Sequence, residues 1–561
     1  MRKLLATCLL ATLAVVAAGP AFAQTYGTVQ FIGTGNASWN DANNWVETLS
    51  GIYLPDPNIF QQSLGTNRVP GLNGAAMIRN GASVTLDGGI TTGCNPMQVG
   101  GPAVWDPNYP SPDPNFKYLP MPASSLTIKD AGTTLIIDPN GAGNTGSNIA
   151  VGGHYKGTLN MQGGSFNTVW LRIGEGPGAT GIFNMSGGSA AIRYRWNVGY
   201  ASGYSGSDGK VREVRGGYGE ANISGSAYIQ QDGDLYVGQA RGNVTFTDPN
   251  GFEIVGGTTS LPSKFNMSGG VYNGSGNLNI AYGNVQTVAW DPNSPWAVSK
   301  GTVTVTGGSF VVLGEIRPGY LGGDGTLEVL GGSVVVGGRI PLNFKQVETG
   351  HSTIHMGGTG VLQINGSQGL RIYDPNQLNG GLNTPRLVYD VSSTGQTGKI
   401  ATTDAALSAG AELYINTLSR PAREGDCNSI AIIEATSVSD PNIGITGNYH
   451  DGFDPNYSTA WTYAWDGTTM RITYRGLTTG DANGNHAVDF PDLTSLAGKW
   501  NQSGHWADGD FNDDGAVNFS DLSILAGNWG WTKPGGAPVP EPATLSLLGL
   551  GAVALIRRRR R

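Results

Sequence analysis

The chain has 561 residues with 41 acidic and 33 basic side chains, so it is acidic overall. That balance argues against nucleic acid and anionic lipid surfaces as partners. Only 13% of the residues are charged, against about 25% in an ordinary globular domain. Glycine is abundant, at 89 residues, and short β-branched runs alternate with turn residues, which predicts an all-β body.

The N-terminus carries an export signal. Arg2 and Lys3 precede an apolar stretch, and residues 21–23 read Ala-Phe-Ala. This order predicts a secretory signal peptide over residues 1–23, cut by signal peptidase between Ala23 and Gln24. The exported chain keeps Cys94 and Cys427. Export makes a disulfide between them chemically feasible, and the sequence leaves open whether they pair.

The body of the chain repeats a short pattern. Residues 24–147 are assigned to an N-terminal cap and the first coils, and residues 148–386 to the repeats. Each copy contains a short alternating strand and, in most copies, a Gly-Gly pair. The copies begin at Gly157, Gly181, Ala221, Lys264, Gly301, Gly325 and Ser352. The closest copies are separated by about 24 residues, a period that is the signature of a solenoid or propeller.

Alternation within each copy favours a parallel β-helix. Leu159 and Met161 share one face of the strand, whereas Thr158 and Asn160 share the other. Such a short strand buries its apolar face only when it stacks on further copies of itself. A period of about 24 residues allows two or three short strands per coil, with glycine at the corners. A propeller blade needs more residues, and a stack of β-sandwiches is the second choice.

These repeats resemble the β-solenoid passengers of autotransporter-like surface proteins. The segment from Ala37 to Trp45, which reads ASWNDANNW, resembles the cap that opens many such proteins. Residues 387–476 lose the Gly-Gly pattern but keep strand-like runs, and we assign them to a β-rich C-terminal cap. A cap is expected because an open terminal coil exposes strand edges and core.

Residues 477–531 contain two copies of an acidic loop, the first beginning at Asp481 and the second at Asp510. Both copies match the spacing of the EF-hand calcium loop, whose oxygen ligands come from positions 1, 3, 5, 7, 9 and 12. A short helix is expected after each loop, from Leu493 to Trp500 and from Leu522 to Trp529. The apolar faces of these helices are predicted to form the core of the module, namely Leu493, Leu496, Ala497, Trp500, Leu522, Leu525, Ala526 and Trp529. The predicted Ca²⁺ ligands of loop one are Asp481, Asn483, Asn485, the Ala487 carbonyl, Asp489 and Asp492. Those of loop two are Asp510, Asn512, Asp514, the Ala516 carbonyl, Asn518 and Asp521.

The two loops differ at position 5 and at the sharp turn. Loop one has Asn485 in place of an aspartate, one charge fewer at that position, and His486 where the turn favours glycine. We therefore expect the second calcium site to be the stronger. Paired loops with Asp at position 12 and a helix only behind them resemble a type I dockerin. That resemblance implies a cohesin-like partner, although the usual Ser/Thr contact positions match only loosely.

The C-terminal tail follows a linker at residues 532–538. Residues 539–561 contain Pro540-Glu541-Pro542, an apolar run from Ala543 to Ile556 and a final cluster of arginines. This run is shorter than the span of about 20 apolar residues that crosses a bilayer comfortably. The tail resembles the PEP-CTERM sorting signal, which implies exosortase as a processing partner and transient membrane contact through the tail. The location expected is the cell surface or extracellular matrix of a Gram-negative-type bacterium.

No catalytic or cofactor-binding residues are assigned. Arg172 and Arg317 occupy equivalent strands and are interpreted as a solvated outer row, and His351 and His355 lie too far apart along a strand for a metal pair. The prediction is a secreted, calcium-binding structural or adhesive protein of the extracellular matrix. The alternative is a polysaccharide-degrading enzyme, a glycoside hydrolase or lyase, or a carbohydrate-binding protein carried by the dockerin-like module. Extracellular polysaccharide is a candidate partner, and the sequence leaves the ligand of the solenoid surface open.

Overall fold

A computed structural model of the chain describes the strands, most of the turns and two helices. The described residues are 28–31, 36–38, 45–48, 76–78, 81–94, 96–100, 122–137, 148–153, 156–175, 179–201, 203–205, 211–214, 217–240, 252–255, 262–282, 299–320, 323–342, 351–373, 385–408, 411–418, 421, 427–441, 443–445, 461–474, 478–512 and 514–533.

The strands are short, and most of them have fewer than seven residues. The first part contains β1 (Thr28–Phe31), β2 (Asn36–Ser38), β3 (Trp45–Thr48), β4 (Ala76–Ile78), β5 (Ser83–Leu86), β6 (Thr91–Gly93), β7 (Met97–Val99), β8 (Ser124–Ile128), β9 (Thr134–Ile136), β10 (Asn148–Val151), β11 (Lys156–Met161), β12 (Ser165–Glu175), β13 (Thr180–Met185) and β14 (Ser189–Ala201). The middle contains β15 (Gly203–Ser205), β16 (Val211–Val214), β17 (Tyr218–Ile223), β18 (Tyr228–Gln231), β19 (Leu235–Ala240), β20 (Phe252–Val255), β21 (Ser263–Met267), β22 (Val271–Gly274), β23 (Leu278–Tyr282), β24 (Lys300–Val305), β25 (Ser309–Val312), β26 (Ile316–Pro318), β27 (Asp324–Val329), β28 (Ser333–Val336), β29 (Ile340–Leu342) and β30 (Ser352–Met356). The last part contains β31 (Val361–Ile364), β32 (Leu370–Ile372), β33 (Arg386–Val391), β34 (Lys399–Leu407), β35 (Glu412–Thr417), β36 (Ile430–Pro441), β37 (Gly444–Ile445), β38 (Trp461–Asp466) and β39 (Thr469–Tyr474).

The chain divides into two compact units, a larger one of residues 1–388, 398–413 and 433–444 and a smaller one of the remaining residues. In the larger unit the strands stack into three parallel ladders, so each coil contributes three short strands. The first ladder runs through β5, β8, β11, β13, β17, β21, β24, β27 and β30. The second runs through β6, β9, the first halves of β12 and β14, β18, β22, β25, β28 and β31. The third runs through β7, β10, the second halves of β12 and β14, β19, β23, β26, β29 and β32. The predicted parallel β-solenoid is confirmed, with three strands per coil.

In the strands of the first ladder, every second side chain faces the interior and is buried. Leu159 and Met161 of β11 are fully buried and pair in register with Phe183 and Met185 of β13. The core is strongly aromatic in the middle coils, where the Trp196 ring lies 5.7 Å from Phe183 and 5.3 Å from Phe265 between ring centroids. Repeating the same short pattern therefore builds one continuous apolar interior.

The outer face of the first ladder carries a stack of asparagines. The Asn184 amide donates to Asn160 at 2.9 Å, Asn222 donates to Asn184 at 3.0 Å, and Asn266 donates to Asn222 at 2.8 Å. Each asparagine side chain thus forms a hydrogen bond with the equivalent asparagine of the adjacent coil. The recurring asparagine of the sequence repeat has this structural role.

The glycine corners hold the coils at contact distance. The second glycine of the Gly-Gly pairs adopts positive φ, for example +82° at Gly188 and +81° at Gly308. A further corner follows the third-ladder strand, where Gly174 has φ +68°. A Cβ atom on Gly174 would overlap the carbonyl oxygen of Tyr218 in the next coil. Glycine is required there both by its backbone conformation and by the close approach.

Parallel pairing continues beyond residue 386, the boundary between repeats and cap placed from the sequence. In the larger unit β34 pairs with β31 and β32, and β36 pairs with β34. The predicted strand runs around residues 430–474 are present as β36, β38 and β39. In the smaller unit β38 and β39 form an antiparallel hairpin, in which the Trp461 ring packs against Tyr474 at 5.2 Å. Cys94 and Cys427 are both buried and do not form a disulfide with each other.

We predict that Gly174→Ala destabilises the solenoid by several kcal/mol, because left-handed strain adds to overlap with the Tyr218 carbonyl. Gly88→Ala is the matched control: Gly88 has φ +78°, and a Cβ there would meet nothing within 4 Å. Strain alone should cost about 1 kcal/mol in that variant. Urea unfolding of the two variants measures the difference, and equal midpoints would contradict the packing argument.

Candidate metal centre

The two acidic loops each lead directly into a short helix. Helix α1 spans Phe490–Gly498 and helix α2 spans Phe519–Gly527, with a 3₁₀ turn at Trp506–Asp508 between them. The sequence predicted helices beginning slightly later, at Leu493 and Leu522. They begin earlier because loop position 9 is already the N-cap residue of each helix. We call residues 480–531 the paired-loop module.

The apolar interior of the module differs from the predicted one. Leu496 and Leu525 are buried as expected, with Leu493 and Leu522 packed beside them. By contrast, Trp500 is 37% exposed and Trp529 is 50% exposed, so the helix-end tryptophans lie at the surface. Ala497 and Ala526 are likewise exposed. The interior is completed instead by residues that the helix pattern did not indicate, namely Val488, Trp506, Phe511 and Val517.

The aspartate at position 12 holds the start of each loop closed. Asp492 Oδ1 accepts from the backbone N–H of Ala482 at 2.8 Å and of Asn483 at 3.2 Å, and Oδ2 accepts from Asp489 at 2.8 Å. Asp521 repeats the pattern with the N–H groups of Phe511, Asn512 and Asn518, at 2.8, 3.2 and 2.9 Å. The two loops therefore share one hydrogen-bond geometry, donor for donor.

Positions 1, 3 and 5 shape the turn in the same way. Asp481 Oδ2 accepts from the N–H of His486 at 2.8 Å, and Asp510 Oδ2 accepts from Gly515 at 2.9 Å. Asn483 and Asn512, at position 3, each accept from the N–H of position 5 at 3.0 Å. These hydrogen bonds gather the side-chain oxygens of positions 1, 3 and 5 around the same turn of backbone. In each loop, the predicted ligand residues at positions 1, 3 and 5 thus lie on one turn of backbone.

The buried carboxylates of loop one carry an electrostatic cost. Asp481 and Asp492 are completely buried, and neither forms an ion pair with a described residue. Burial raises the pKa of Asp481 to about 6, and repulsion from Asp492 adds to the effect, while backbone N–H donors partly oppose it. Burial also raises the pKa of Asp492. Two ionised carboxylates in one buried loop favour a nearby cation.

An unpaired oxygen and the donor chemistry fit a hard cation. Asp489 Oδ1, at position 9 of loop one, is buried and has no hydrogen-bond partner. Within the described ranges, however, no group of three or more His, Cys, Asp or Glu side chains is arranged to hold a metal ion. The loops draw much of their donor set from asparagine amides and a backbone carbonyl, which are oxygen ligands suited to Ca²⁺.

The predicted ligand sets of the two loops carry the same number of carboxylates. Loop one lacks the aspartate at position 5, but Asp489 stands at position 9 where loop two has Asn518. The six predicted ligand positions of each loop therefore hold three carboxylates. The remaining differences are the place of the third carboxylate and the turn residue: His486 adopts φ +63°, against +82° at Gly515.

A residue outside both loops ties the module together. The Trp506 indole donates to the Asp481 carbonyl at 2.8 Å, and its ring packs against Phe511 at 5.2 Å between centroids. Trp506 therefore contacts the first residue of loop one and the second residue of loop two. The sequence offered one signal for it, a tryptophan shortly before the second loop.

Other charged residues singled out from the sequence lie elsewhere. Arg172 and Arg317 do share one outward row of the third ladder, through the paired strands between them. They are not solvated as predicted: both side chains are only 24% exposed, and they pair with Glu175 and Glu315 at 2.8 and 2.7 Å. His355 Nδ1 lies 3.6 Å from Glu328 Oε1, one coil away.

Comparison with known families identifies the tail. Residues 538–561 match the PEP-CTERM protein-sorting motif. The motif indicates export to the cell envelope or surface of a Gram-negative bacterium, and implies processing by an exosortase. Comparison with curated proteins finds no match. Among the described residues, no helix has both the length and the apolar character needed to cross a membrane. The processing residues Ala23, Gln24, Pro540, Glu541 and Pro542 lie outside the described residues.

We predict that His486→Gly stabilises loop one by about 1 kcal/mol, because it removes a side chain from the left-handed region. The control is His486→Ala, which shortens the side chain but retains the strain and should give no gain. Hydrogen–deuterium exchange of the full chain, followed at the amides of residues 481–492, measures the local effect. Equal protection in the two variants would contradict the strain argument.

Proposed function

We propose that this exported protein is a calcium-binding β-solenoid with a structural or adhesive role at the cell surface or in the extracellular matrix. The sorting motif supports the location. The proposal about calcium rests on one observation: two loops at separate places in the chain adopt the same hydrogen-bond geometry around buried carboxylates. A solenoid provides long, regular outer faces, which suit binding to an extended partner better than enclosing a small ligand in a pocket.

Calcium would be held by the residues at loop positions 1, 3, 5, 7, 9 and 12. When bound, the ion supplies positive charge to carboxylates that otherwise repel one another in a buried loop. Asp492 and Asp521 already orient the loops by accepting backbone N–H groups, so the chain itself preforms the turn. The second site is proposed as the stronger, because its Asp514 stands at position 5, whereas Asp489 stands at position 9, which often ligates through water.

A second candidate role for the module is docking to a cohesin-like protein, as the resemblance to type I dockerins implies. The favouring observation is a pair of exposed aromatic side chains at equivalent places: Phe490 is 65% exposed and Phe519 is 72% exposed. Each begins its helix, so the pair follows the internal duplication of the module. Exposed aromatic residues are typical anchors of protein interfaces. We expect a cohesin domain from the same organism to bind the full chain, and Phe490→Ala with Phe519→Ala to abolish that binding.

We predict that calcium slows hydrogen–deuterium exchange at residues 481–492 and 510–521 of the full chain, and that a chelator reverses this protection. Stabilisation by a bound ion follows mass action, so a ligand at 100 times its dissociation constant adds about 2.7 kcal/mol. Loop two should become protected at lower calcium concentration than loop one. Calcium-independent exchange in both loops would overturn the proposal.

Exchanging the position-5 residues tests the ranking of the two sites. Asn485→Asp should lower the calcium concentration that protects loop one, and Asp514→Asn should raise the concentration that protects loop two, each by roughly tenfold or 1.4 kcal/mol. The matched control is Asp508→Asn, which changes an acidic residue of the 3₁₀ turn outside both ligand sets. A shift of similar size in the control would show a general charge effect.

A further inference from the structure

The outer face of the third ladder carries a cluster of aromatic and arginine side chains that the repeat pattern alone does not explain. It spans β12, β14, β19, β23 and the turn after β26. We call it the aromatic–arginine strip and define it by Trp170, Tyr194, Arg195, Tyr236, Tyr282 and Tyr320. The core-facing residues of the same strands, such as Leu171 and Trp196, point the other way and are fully buried.

The members of the strip contact one another from coil to coil. The Trp170 and Tyr194 rings lie 5.5 Å apart between centroids, Tyr236 lies 5.5 Å from Tyr282, and Tyr282 lies 5.4 Å from Tyr320. Neighbouring hydrogen-bonded strands are about 4.8 Å apart, so each coil adds roughly one ring. The aromatic groups therefore form a band that passes from coil to coil, in which Tyr194 is 49% exposed and Tyr236 is buried.

Arg195 places a positive charge inside this row. Its guanidinium carbon lies 5.3 Å from the Trp170 ring centroid, 5.6 Å from Tyr194 and 5.0 Å from Tyr236. No carboxylate in the described part of the chain forms an ion pair with it. By contrast, Arg172 and Arg317 also lie over rings but are paired with glutamates. Arg195 is thus held by ring faces and keeps hydrogen-bond donors for another group.

Unpaired polar atoms lie beneath the same face. Asn279 is 1% exposed and stands in register between Tyr236 and Arg317, and neither its Oδ1 nor its Nδ2 has a hydrogen-bond partner. Asn197, also 1% exposed, donates to Gln239 but leaves its Oδ1 unpaired, and Trp170 Nε1 is unpaired as well. Leaving a buried amide without a hydrogen-bond partner destabilises the fold, which is unexpected in a purely structural face.

We propose that the aromatic–arginine strip binds an extended polysaccharide chain lying along the solenoid axis. Sugar rings combine apolar faces, which stack on aromatic rings, with hydroxyl groups that exchange hydrogen bonds with amides and arginine. The spacing of the coils is close to the length of one pyranose unit, so successive coils face successive sugars. This proposal deepens the adhesive role proposed above, and rests on it, by assigning that role to one face.

The charge of the strip argues against other ligands. Glu175, Asp234 and Glu315 lie along the same ladder as the arginines, so the face is not a uniformly positive track for a polyphosphate. Unpaired amides suit a ligand rich in hydroxyl groups better than an apolar peptide or lipid. A uronate carboxylate would additionally pair with Arg195.

Isothermal titration of the full chain with a β-1,4-glucan hexamer, a mannan hexamer and a galacturonate hexamer tests the proposal. We expect binding of at least one of the three, and an at least tenfold loss in Tyr194→Ala, because this ring is 49% exposed and its removal spares the core. Tyr228→Ala is the matched control, since Tyr228 is 43% exposed but belongs to the second ladder. Preference for galacturonate that disappears in Arg195→Gln would assign the acidic class.

The Asn279→Leu variant distinguishes a role of Asn279 in ligand binding from a role in fold stability. Replacing an unpaired buried amide by an apolar side chain of similar size should leave thermal stability unchanged or higher, while the hexamer that binds the wild type loses affinity. Lack of binding to all three hexamers, or equal binding by Tyr194→Ala and the wild type, would overturn the proposal. The hexamer affinities measured in calcium and in chelator should agree, because all members of the strip lie in the repeats and none in the acidic loops. A failure of the calcium proposal would therefore leave hexamer binding unchanged, and the two proposals can be told apart.

Discussion

The structure depends on the close approach of one coil to the next at the glycine corners. Parallel strands pair at hydrogen-bond distance only if the backbone between them turns without a side chain in the way. At Gly188 a Cβ atom would lie 2.5 Å from the Gly164 carbonyl oxygen of the preceding coil, and φ is +82°. The corners thus fix the register, and the register places every core and surface residue of the strands.

Because the register is fixed, equivalent residues of successive coils lie next to one another and form rows. Leucine, methionine, valine and phenylalanine at the inward positions stack into the core, whereas the asparagines of the first ladder form a hydrogen-bonded row outside. The same constraint applies to Trp170 and Arg195, which are paired residues of adjacent strands. Surface chemistry on a solenoid is therefore periodic, and a ligand that matches it is itself expected to be a repeating chain.

Much of this could be predicted from the sequence because the repeat and the acidic loops encode it locally. The alternation in residues 158–162 predicted the buried and exposed faces, and the Gly-Gly pairs predicted the corners. Strand equivalence placed Arg172 and Arg317 in one row. Their ion pairs and ring contacts are made within their own coil and follow side-chain orientations that the repeat pattern does not specify. The interior of the paired-loop module could not be predicted either, because Trp506 and Phe511 belong to no helix face and meet only when the two halves pack.

The polar groups of the first ladder are paired within the chain, whereas those of loop one and of the third ladder are only partly paired. In the first ladder, the asparagines of adjacent coils satisfy one another, so that face needs nothing from outside. In loop one, Asp481 and Asp492 are buried together and backbone N–H groups only partly offset the cost of their charge. In the third ladder, Asn279 is buried with both amide atoms unpaired. Buried polar groups without partners call for an explanation, and here they support the two proposals, a cation in the loops and a hydroxyl-rich chain on the strip.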